Sequence, residues 1–321
     1  MRHIRFGRTD VDVPTVSLGT WGHGGPRVSE GVSVGWSGHD DEGAKRALIA
    51  AHRAGITHWD TADAYGDGHS ETLIGEVWNE VPRRDVFLAT KFGWVREPGT
   101  RYYEPGFMRQ QCDRSLRKLK TDVIDLYYFH HCDFGPNDEM FDDALAVMRD
   151  LREQGKIRFI GLSDWDSKKI MKFIARVDPD VVQPYRNLVD DEYESSGLKK
   201  WVDEHDLGVA FFSPIKHGLL LGKYGEAKQF PEGDFRSRIE DFSSPETIAR
   251  YRRAADAMRN RFDGHREPVL HAVIGALLTG NETACVLLGQ RNENQVASAA
   301  AVGEPLSPDE AAWVRKMYRS R

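Results

Sequence analysis

The chain has 321 residues, and its 44 lysines and arginines against 50 aspartates and glutamates give a formal net charge of −6, so no basic excess favours a nucleic acid partner. Apolar residues make up 40% of the chain, yet no run approaches the roughly 18 apolar residues that span a bilayer, and none of signal-peptide length follows Arg2, His3 and Arg5. The three cysteines are an odd number without CxxC spacing, which argues against a disulfide framework or a structural zinc site and makes the cytoplasm the expected compartment.

A repeating pattern of short apolar runs, each followed by a stretch with helical periodicity, extends along the chain. The spacing leaves room for one helix and two loops between successive runs, as parallel strands require. We therefore predict an α/β fold, a single (β/α)8 barrel over residues 1–321 with long loops at the carboxyl ends of the strands. The alternative is an open doubly wound sheet, but its GxGxxG fingerprint is replaced by Gly22-His23-Gly24-Gly25. The eight predicted strands are Val16–Leu18, Thr57–Trp59, Val86–Ala89, Ile124–Phe129, Ile157–Leu162, Val181–Gln183, Val209–Phe212 and Val286–Leu288.

Helical stripes lie between the predicted strands. One stripe of small residues ends at Gly55 and a second, of larger apolar residues, ends at Gly155, and glycine at such a position typically terminates a helix. Ser70 is predicted to cap a helix that runs toward Trp78. The two stripes consist of Ala44, Ala47, Leu48 and Ala51, and of Phe141, Leu145, Met148 and Leu151.

Two segments depart from the repeating pattern. Residues His3 to Val13 alternate weakly in polarity and are predicted to form a β-hairpin beneath the barrel. The stretch from Ser213 to Pro245 is rich in glycine and too long for a simple connector, so we predict that it forms a lid over the mouth of the barrel.

Polar or aromatic side chains stand where the predicted strands end. The carboxyl ends of the strands of a parallel barrel meet at one mouth, which is where such barrels carry their chemistry. We therefore expect these side chains to lie close together. They are Asp60 with Tyr65 five residues later, Lys91, His130, Ser163, Asp164, Gln183, Phe212 and Ser213.

Four of these residues make chemical sense as a group. An aspartate beside Lys91 would keep the ammonium charged, and a charged lysine beside Tyr65 would lower the pKa of the phenol toward the range of a general acid. A histidine could then orient or polarise the reacting oxygen. None of these groups supplies electrons, so a reduction would need a bound hydride donor such as nicotinamide.

Each residue also has a simpler interpretation when it is considered alone. Tyr65 could be a packing residue of a loop, and Asp60 could cap a turn at a strand end. His130, His131 and Cys132 suggest a metal, but adjacent strand residues point to opposite faces and cannot readily converge on one ion. No metal site is predicted.

Five motifs in order give the chain a recognisable family resemblance over nearly all of its length. It resembles the aldo-keto reductases, which are NAD(P)H-dependent oxidoreductases built on a (β/α)8 barrel. The motifs are Trp59-Asp60-Thr61-Ala62-Asp63-Ala64-Tyr65-Gly66; Leu88-Ala89-Thr90-Lys91; Ile124-Asp125-Leu126-Tyr127-Tyr128-Phe129-His130; Gly155-Lys156-Ile157-Arg158 with Ile160-Gly161-Leu162-Ser163; and Gly218-Leu219-Leu220-Leu221-Gly222-Lys223-Tyr224.

The resemblance implies a catalytic tetrad and a coenzyme site. Asp60, Tyr65, Lys91 and His130 would form the tetrad, with Tyr65 as proton donor. Residues after the fifth to eighth strands would bind NADP, with NAD as the second choice. These coenzyme residues are Ser163, Asp164, Gln183, Phe212, Ser213, Ile215, Gly218, Leu220, Lys223, Gly289, Gln290, Arg291 and Gln295.

The chain also departs from the family pattern near the expected coenzyme. Asp164 stands where the family usually has asparagine, and a carboxylate cannot donate to the carboxamide. Phe212 keeps the stacking ring of the more frequent tyrosine but lacks its hydroxyl. After the eighth strand, Arg291 is the remaining cation for a 2′-phosphate, and Ser298-Ala299 replaces the usual Glu-Asn pair.

These observations lead to one functional hypothesis and two rivals. The hypothesis is hydride transfer between nicotinamide and an aldehyde, ketone or sugar carbonyl, with the reverse alcohol oxidation equally allowed. Trp21, Trp94 and either Tyr128 or Trp165 are expected to shape substrate choice. The first rival is a coenzyme-binding regulatory subunit with slow turnover, and the second is a metal-dependent hydrolase, for which the sequence offers no ligand set.

Overall fold

Eight parallel strands close into a barrel in the computed structural model, which describes residues 1–95 and 100–320. Going round the barrel, each strand pairs with the next barrel strand in the chain, and the last one pairs with the first. The predicted (β/α)8 barrel is confirmed, and each predicted run falls on one barrel strand with ends shifted by a few residues. The strands are β1 His3–Arg5, β2 Asp12–Pro14, β3 Val16–Gly19, β4 Val28–Ser29, β5 Val32–Ser33, β6 His58–Asp60, β7 Phe87–Phe92, β8 Ile124–Phe129, β9 Ile157–Asp164, β10 Val181–Pro184, β11 Gly208–Phe211 and β12 Ala284–Gly289, of which β3 and β6 to β12 form the barrel.

Amphipathic helices surround the barrel and bury their apolar stripes against it. In the first of them the carboxylate of Asp40 accepts from the backbone N–H of Gly43 at 2.9 Å, which caps the helix at its N-terminus. None of the helices in the described ranges is long and apolar enough to cross a membrane. The helices are α1 Asp41–Arg53, α2 His69–Gly75, α3 Pro105–Lys118, α4 Phe141–Glu153, α5 Ser167–Val177, α6 Glu192–Ser195, α7 Leu198–His205, α8 Pro245–Arg261, α9 Pro268–Leu278, α10 Glu293–Ala300 and α11 Pro308–Arg319.

The predicted capping role of Ser70 is wrong. Helix α2 begins at His69, and Gly68 with φ of +82° occupies the capping position without a side-chain bond. The hydroxyl of Ser70 instead turns inward and lies 2.8 Å from the hydroxyl of Thr20, which follows β3. Ser70 therefore joins α2 to the residue after the first barrel strand and does not cap the helix.

The N-terminal hairpin closes the bottom of the barrel. Strands β1 and β2 pair antiparallel, as predicted, and Phe6 and Val13 are fully buried. They pack in one apolar cluster with Leu126 and Cys285, which come from β8 and β12. Closing the barrel from below leaves its opposite end as the open one.

Two loops meet across that open end. The loop after β3 and the long stretch from Ser213 to Pro245 pair through a parallel bridge between Gly35 and Asp234. The backbone N–H of Arg27 also donates to the carbonyl of Gly233 at 3.0 Å. The segment predicted to be a lid is thus held across the mouth by residues that lie about two hundred positions earlier in the chain.

Candidate active site

Four side chains singled out in the sequence meet at the mouth of the barrel. Asp60 ends β6, Lys91 lies near the end of β7, and His130 directly follows β8. Tyr65 is carried by the turn after β6, whose next residue, Gly66, has φ of +63°. A Cβ on Gly66 would lie 2.2 Å from the carbonyl oxygen of Gly24, so glycine is required there.

Lys91 lies at the centre of this group. Its Nζ contacts Asp60 Oδ1 at 2.5 Å, donates to the carbonyl of Thr61 at 2.7 Å, and lies 3.4 Å from the hydroxyl of Tyr65. The lysine side chain is fully buried and that of Asp60 almost so. An ammonium at such depth needs a counterion, and Asp60 supplies it.

The pKa values of this buried pair agree with an ionised lysine. Burial alone would lower the pKa of Lys91, but Asp60 and Tyr65 outweigh it and leave that pKa above its ordinary value. Burial raises the pKa of Asp60, against the opposing effects of Lys91 and of a 2.8 Å hydrogen bond from Gln183 Nε2. Both carboxylate oxygens of Asp60 are therefore occupied, one by each partner.

The Tyr65 phenol is held beside the ammonium and against an indole. Its ring stacks on Trp21 with centroids 6.0 Å apart and an interplanar angle of 21°. Removal from water raises the pKa of Tyr65 above its ordinary value, and Lys91 opposes that rise. The lysine acts in the direction expected from the sequence, but burial has the larger effect, so the phenol stays protonated at neutral pH.

His130 faces the same phenol. Its ring lies 5.8 Å from the Tyr65 ring at 77°, an edge-to-face arrangement. Burial, with the nearby Lys91 and His131, holds the pKa of His130 well below its ordinary value. The imidazole is therefore neutral at neutral pH and offers one N–H donor.

Side chains at the ends of β9 and β10 form hydrogen bonds with other residues of the chain. Ser163 donates from its hydroxyl to the carbonyl of Gln183 at 3.0 Å, and Gln183 donates to Asp60 as described above. The carboxylate of Asp164 accepts the backbone N–H groups of Cys132 at 2.7 Å and Asp166 at 2.9 Å. Asp164 thus joins the loops after β8 and β9, a role that an asparagine, with one acceptor oxygen, would perform less well.

The chain turns sharply after β11. Ser213, Lys216 and His217 have φ of 56°, 47° and 56°, a conformation that is uncommon outside glycine. The carbonyl of Ile215 accepts the N–H groups of Gly218 and Leu220. Four residues predicted to contact the coenzyme lie in this strained turn: Ser213, Ile215, Gly218 and Leu220.

A cluster of cations lies beside this turn. The pKa of Lys223 is lowered by burial and then by Arg236 and Arg291, which places the three cations near one another. Arg236 pairs with Asp234 and lies 4.4 Å from the centre of the Trp36 ring. Within the described part of the chain Lys223 forms no ion pair. Sequence reasoning missed Arg236, because no motif or strand end marks it.

The residues after β12 differ in exposure and contacts. Gly289 is exposed at the end of the strand. The side chain of Gln290 is fully buried and donates to the carbonyl of Ser17 at 3.2 Å, whereas Gln295 accepts from the backbone N–H of Arg291 at 2.8 Å. The guanidinium of Arg291 donates to the carbonyl of Ser37 at 2.9 Å, so it reaches the loop after β3.

Aromatic side chains form the wall of the mouth. Phe235 lies 4.9 Å from Trp21, and Phe212 lies 4.8 Å from Trp165, between ring centroids. Trp94, which follows β7, is 40% exposed. The expectation that Tyr128 could line the mouth is wrong. This residue points into the barrel and is fully buried below Lys91 with the residues of the N-terminal hairpin.

Comparisons with known proteins agree on the family. A profile described as the Aldo/keto reductase family matches residues 15–319. The aldo-keto reductase YhdN of Bacillus subtilis is 29% identical over 309 residues, covering 94% of this chain and 88% of the relative. An NADH-specific methylglyoxal reductase of Escherichia coli is 30% identical over 235 residues, 69% of this chain and 70% of that protein. The structure of a glycerol dehydrogenase from Gluconobacter oxydans superimposes with a TM-score of 0.81 at 29% identity, covering 98% of this chain and 94% of the other. The chain belongs to the aldo/keto reductase family of oxidoreductases.

Proposed function

We propose that the chain reduces aldehydes, ketones or sugar carbonyls with NADPH in preference to NADH, with Tyr65 as proton donor, and that it also catalyses the reverse alcohol oxidation. One observation carries the proposal. The Nζ of Lys91 lies 2.5 Å from Asp60 and 3.4 Å from the Tyr65 hydroxyl, at the carboxyl end of the strands. A buried ammonium in contact with a phenol is an arrangement suited to proton transfer.

The cations at the mouth fit a dinucleotide with phosphate groups. Lys223 is exposed and has no counterion among the described residues, and Arg236 and Arg291 lie near it against the single carboxylate of Asp234. Such an excess of positive charge favours an anion. Arg291 would hold a 2′-phosphate, and the turn from Ser213 to Leu220 with Lys223 would hold the pyrophosphate. Reduced nicotinamide, bound near Ser163, Gln183 and Phe212, supplies the hydride.

The chain's own residues supply the proton and hold the carbonyl oxygen. Tyr65 keeps its proton at Oη at neutral pH because burial raises the pKa of the phenol. As that proton moves to the substrate oxygen, Lys91 stabilises the negative charge left on the phenolate. Neutral His130 donates a hydrogen bond to the same substrate oxygen. Asp60 and Gln183 act through Lys91, which they keep charged and in place.

The aromatic wall suggests the kind of substrate. Trp21 stacks on Tyr65 and contacts Phe235, and Trp94 lies 6.3 Å from the His130 ring between centroids. Such aromatic walls suit hydrophobic, aromatic or sugar-like carbonyl compounds. The test is a turnover assay of the purified protein with NADPH and with NADH against aldehydes, ketones and sugars, run in both directions. Coenzyme binding without measurable turnover on any compound would favour the rival, a regulatory subunit.

Replacement of Arg291 by alanine should separate the two coenzymes. A hydrogen bond to a charged phosphate contributes about 1.5–3 kcal/mol, so KM for NADPH should rise roughly ten- to a hundredfold, with KM for NADH almost unchanged. Saturation curves for both coenzymes measure the effect, with Arg238→Ala, an exposed cation of the loop after β11, as matched control. Equal losses with both coenzymes, or none with either, would remove the phosphate role. The family includes a relative named with NADP(+) in Schizosaccharomyces pombe and one named NADH-specific in Escherichia coli. Family membership therefore does not predict the coenzyme, and this experiment does distinguish the two.

Replacement of Asp234 by alanine should loosen the lid. Its carboxylate accepts from the backbone N–H and hydroxyl of Ser37, and these bonds join the long loop to the loop after β3. It also accepts from Arg236 within the long loop. Limited proteolysis should cut residues 213–245 faster in this variant, and saturating NADPH should slow cleavage in the wild type. Asp241→Ala, which removes a single ion pair with Lys216 in the same loop, is the control. If cleavage were equally fast in wild type and D234A, the bonds between Asp234 and Ser37 would not control the lid.

A further inference from the structure

Two histidines and one aspartate converge at the rim of the barrel, outside the site described above. They are His39, Asp41 and His69, and one ligand atom from each lies within 4.8 Å of the others. We propose that these three side chains bind a divalent transition metal ion of the zinc class. No sequence pattern predicts this site, because the spacing between position 41 and position 69 matches no metal motif.

The distances are close to those of a bound ion. Nε2 of His69 lies 2.8 Å from Asp41 Oδ1, and Nε2 of His39 lies 3.8 Å from the same oxygen. Ligand atoms around a tetrahedral zinc ion lie roughly 3.3 Å apart, since Zn–N and Zn–O bonds are each about 2.0–2.1 Å. These two spacings therefore differ from that value by only about half an ångström, and the ligand nitrogens of the two histidines lie within 4.8 Å of each other.

The donor set suits the zinc class of ions. Imidazole nitrogen is a borderline ligand that first-row transition metal ions prefer, whereas magnesium and calcium prefer oxygen ligands alone. Two imidazoles with one carboxylate therefore favour zinc or a similar ion. The nearby cation Lys45 is paired with Glu42 at 2.5 Å and Glu76 at 3.5 Å, which offsets its repulsion of an ion.

Two segments of the chain present the three ligands. Asp41 is the first residue of α1 and His69 the first residue of α2, while His39 lies two residues before Asp41. The His39 ring packs on the backbone of Gly25, where an added Cβ would lie 3.0 Å from the ring. The rings of His39 and His69 lie 6.3 Å apart and perpendicular. All three side chains are partly exposed, so an ion and a water ligand can reach them.

The neighbours of two of the proposed ligands contact Arg291 and Tyr65. Gly38, next to His39, accepts a hydrogen bond from Arg291, the residue proposed to hold the 2′-phosphate. On the other side, Ser70, next to His69, donates from its backbone N–H to the carbonyl of Tyr65 at 3.2 Å. A bound ion would join these two segments and restrain both. The binding itself does not depend on the proposed reaction, so its test does not either.

Isothermal titration of ZnCl2 into chelator-stripped protein without a histidine tag tests the proposal. We expect one saturable zinc per chain, and replacing either histidine by alanine should weaken binding at least tenfold, the loss of about 10–100-fold that removal of even an outer partner of a metal ligand produces. His52→Ala is the matched control, since His52 contacts Asp85 at 3.2 Å in the same way but has no second imidazole. Visible absorption of Co2+ at the site should show the intense bands of a four-coordinate ion.

Thermal melting without metal checks that each variant folds. Zinc should raise the Tm of the wild type and of H52A, and should not raise that of H39A or H69A. The proposal is overturned if zinc fails to saturate a single site, or if either H39A or H69A binds it as tightly as the wild type. It is equally overturned if H52A loses as much affinity as they do.

Discussion

Replacement of Tyr65 by phenylalanine is expected to abolish turnover while leaving the fold and coenzyme binding intact. The change removes only the hydroxyl, which lies 3.4 Å from Lys91 Nζ, and keeps the ring that stacks on Trp21. A positioned general acid typically contributes a factor of about 100 or more, so kcat/KM for carbonyl reduction should fall by at least that much. Steady-state rates and fluorescence titration with NADPH measure the two effects separately.

A second tyrosine of the mouth serves as control for this variant. Tyr185 packs 5.1 Å from the Trp165 ring and 5.5 Å from the Phe212 ring, and Tyr185→Phe also removes one hydroxyl. Its kcat/KM should remain within a few-fold of the wild type. Retention of more than about a tenth of kcat/KM in Y65F would contradict the assignment of Tyr65 as proton donor.

The barrel and the convergence of its polar residues could be predicted from the sequence because both depend on local pattern. Apolar runs alternating with helical stripes leave few folds other than a closed parallel barrel. Once the strands are parallel, residues that end them must share one mouth. Asp60, Lys91 and His130 could therefore be grouped without any knowledge of long-range packing. Tyr65 joins them because it follows Asp60 by one short turn.

Other features depend on contacts that no local pattern reveals. The pairing of Asp234 with Ser37 joins segments 197 positions apart. Arg236 lies beside Arg291, which comes from a different loop, after β12. Tyr128 was expected at the mouth as one of two alternatives. The alternation of side chains in β8 instead turns it inward, next to the outward-facing Tyr127.

The balance of electrostatic effects on Tyr65 also required the structure. A nearby lysine was expected to lower the pKa of the phenol, and Lys91 does act in that direction. How much water the phenol loses depends on Trp21 and the surrounding loops, which the sequence does not specify. Burial has the larger effect, and the pKa lies above its ordinary value.

Replacement of Lys91 by methionine should lower kcat by about a hundredfold or more, because no cation would then stabilise the Tyr65 phenolate as the proton leaves. Removing one partner of a buried ion pair also costs about 3–5 kcal/mol, so Tm must be measured with activity. Arg83→Met is the control for stability. It breaks the 2.8 Å pair with the buried Asp125, and should lower Tm without a comparable loss of kcat.

The pH dependence distinguishes a catalytic Lys91 from a structural one. Reduction needs the protonated phenol, so its rate should stay level through neutral pH and fall as the pH rises through the raised pKa of Tyr65. Lys91 lowers that pKa, and its removal must raise the pKa further. The residual activity of K91M should therefore lose its alkaline limb or show it at higher pH than the wild type. A limb at the same pH, together with an undiminished kcat, would mean that Lys91 serves only as the counterion of Asp60.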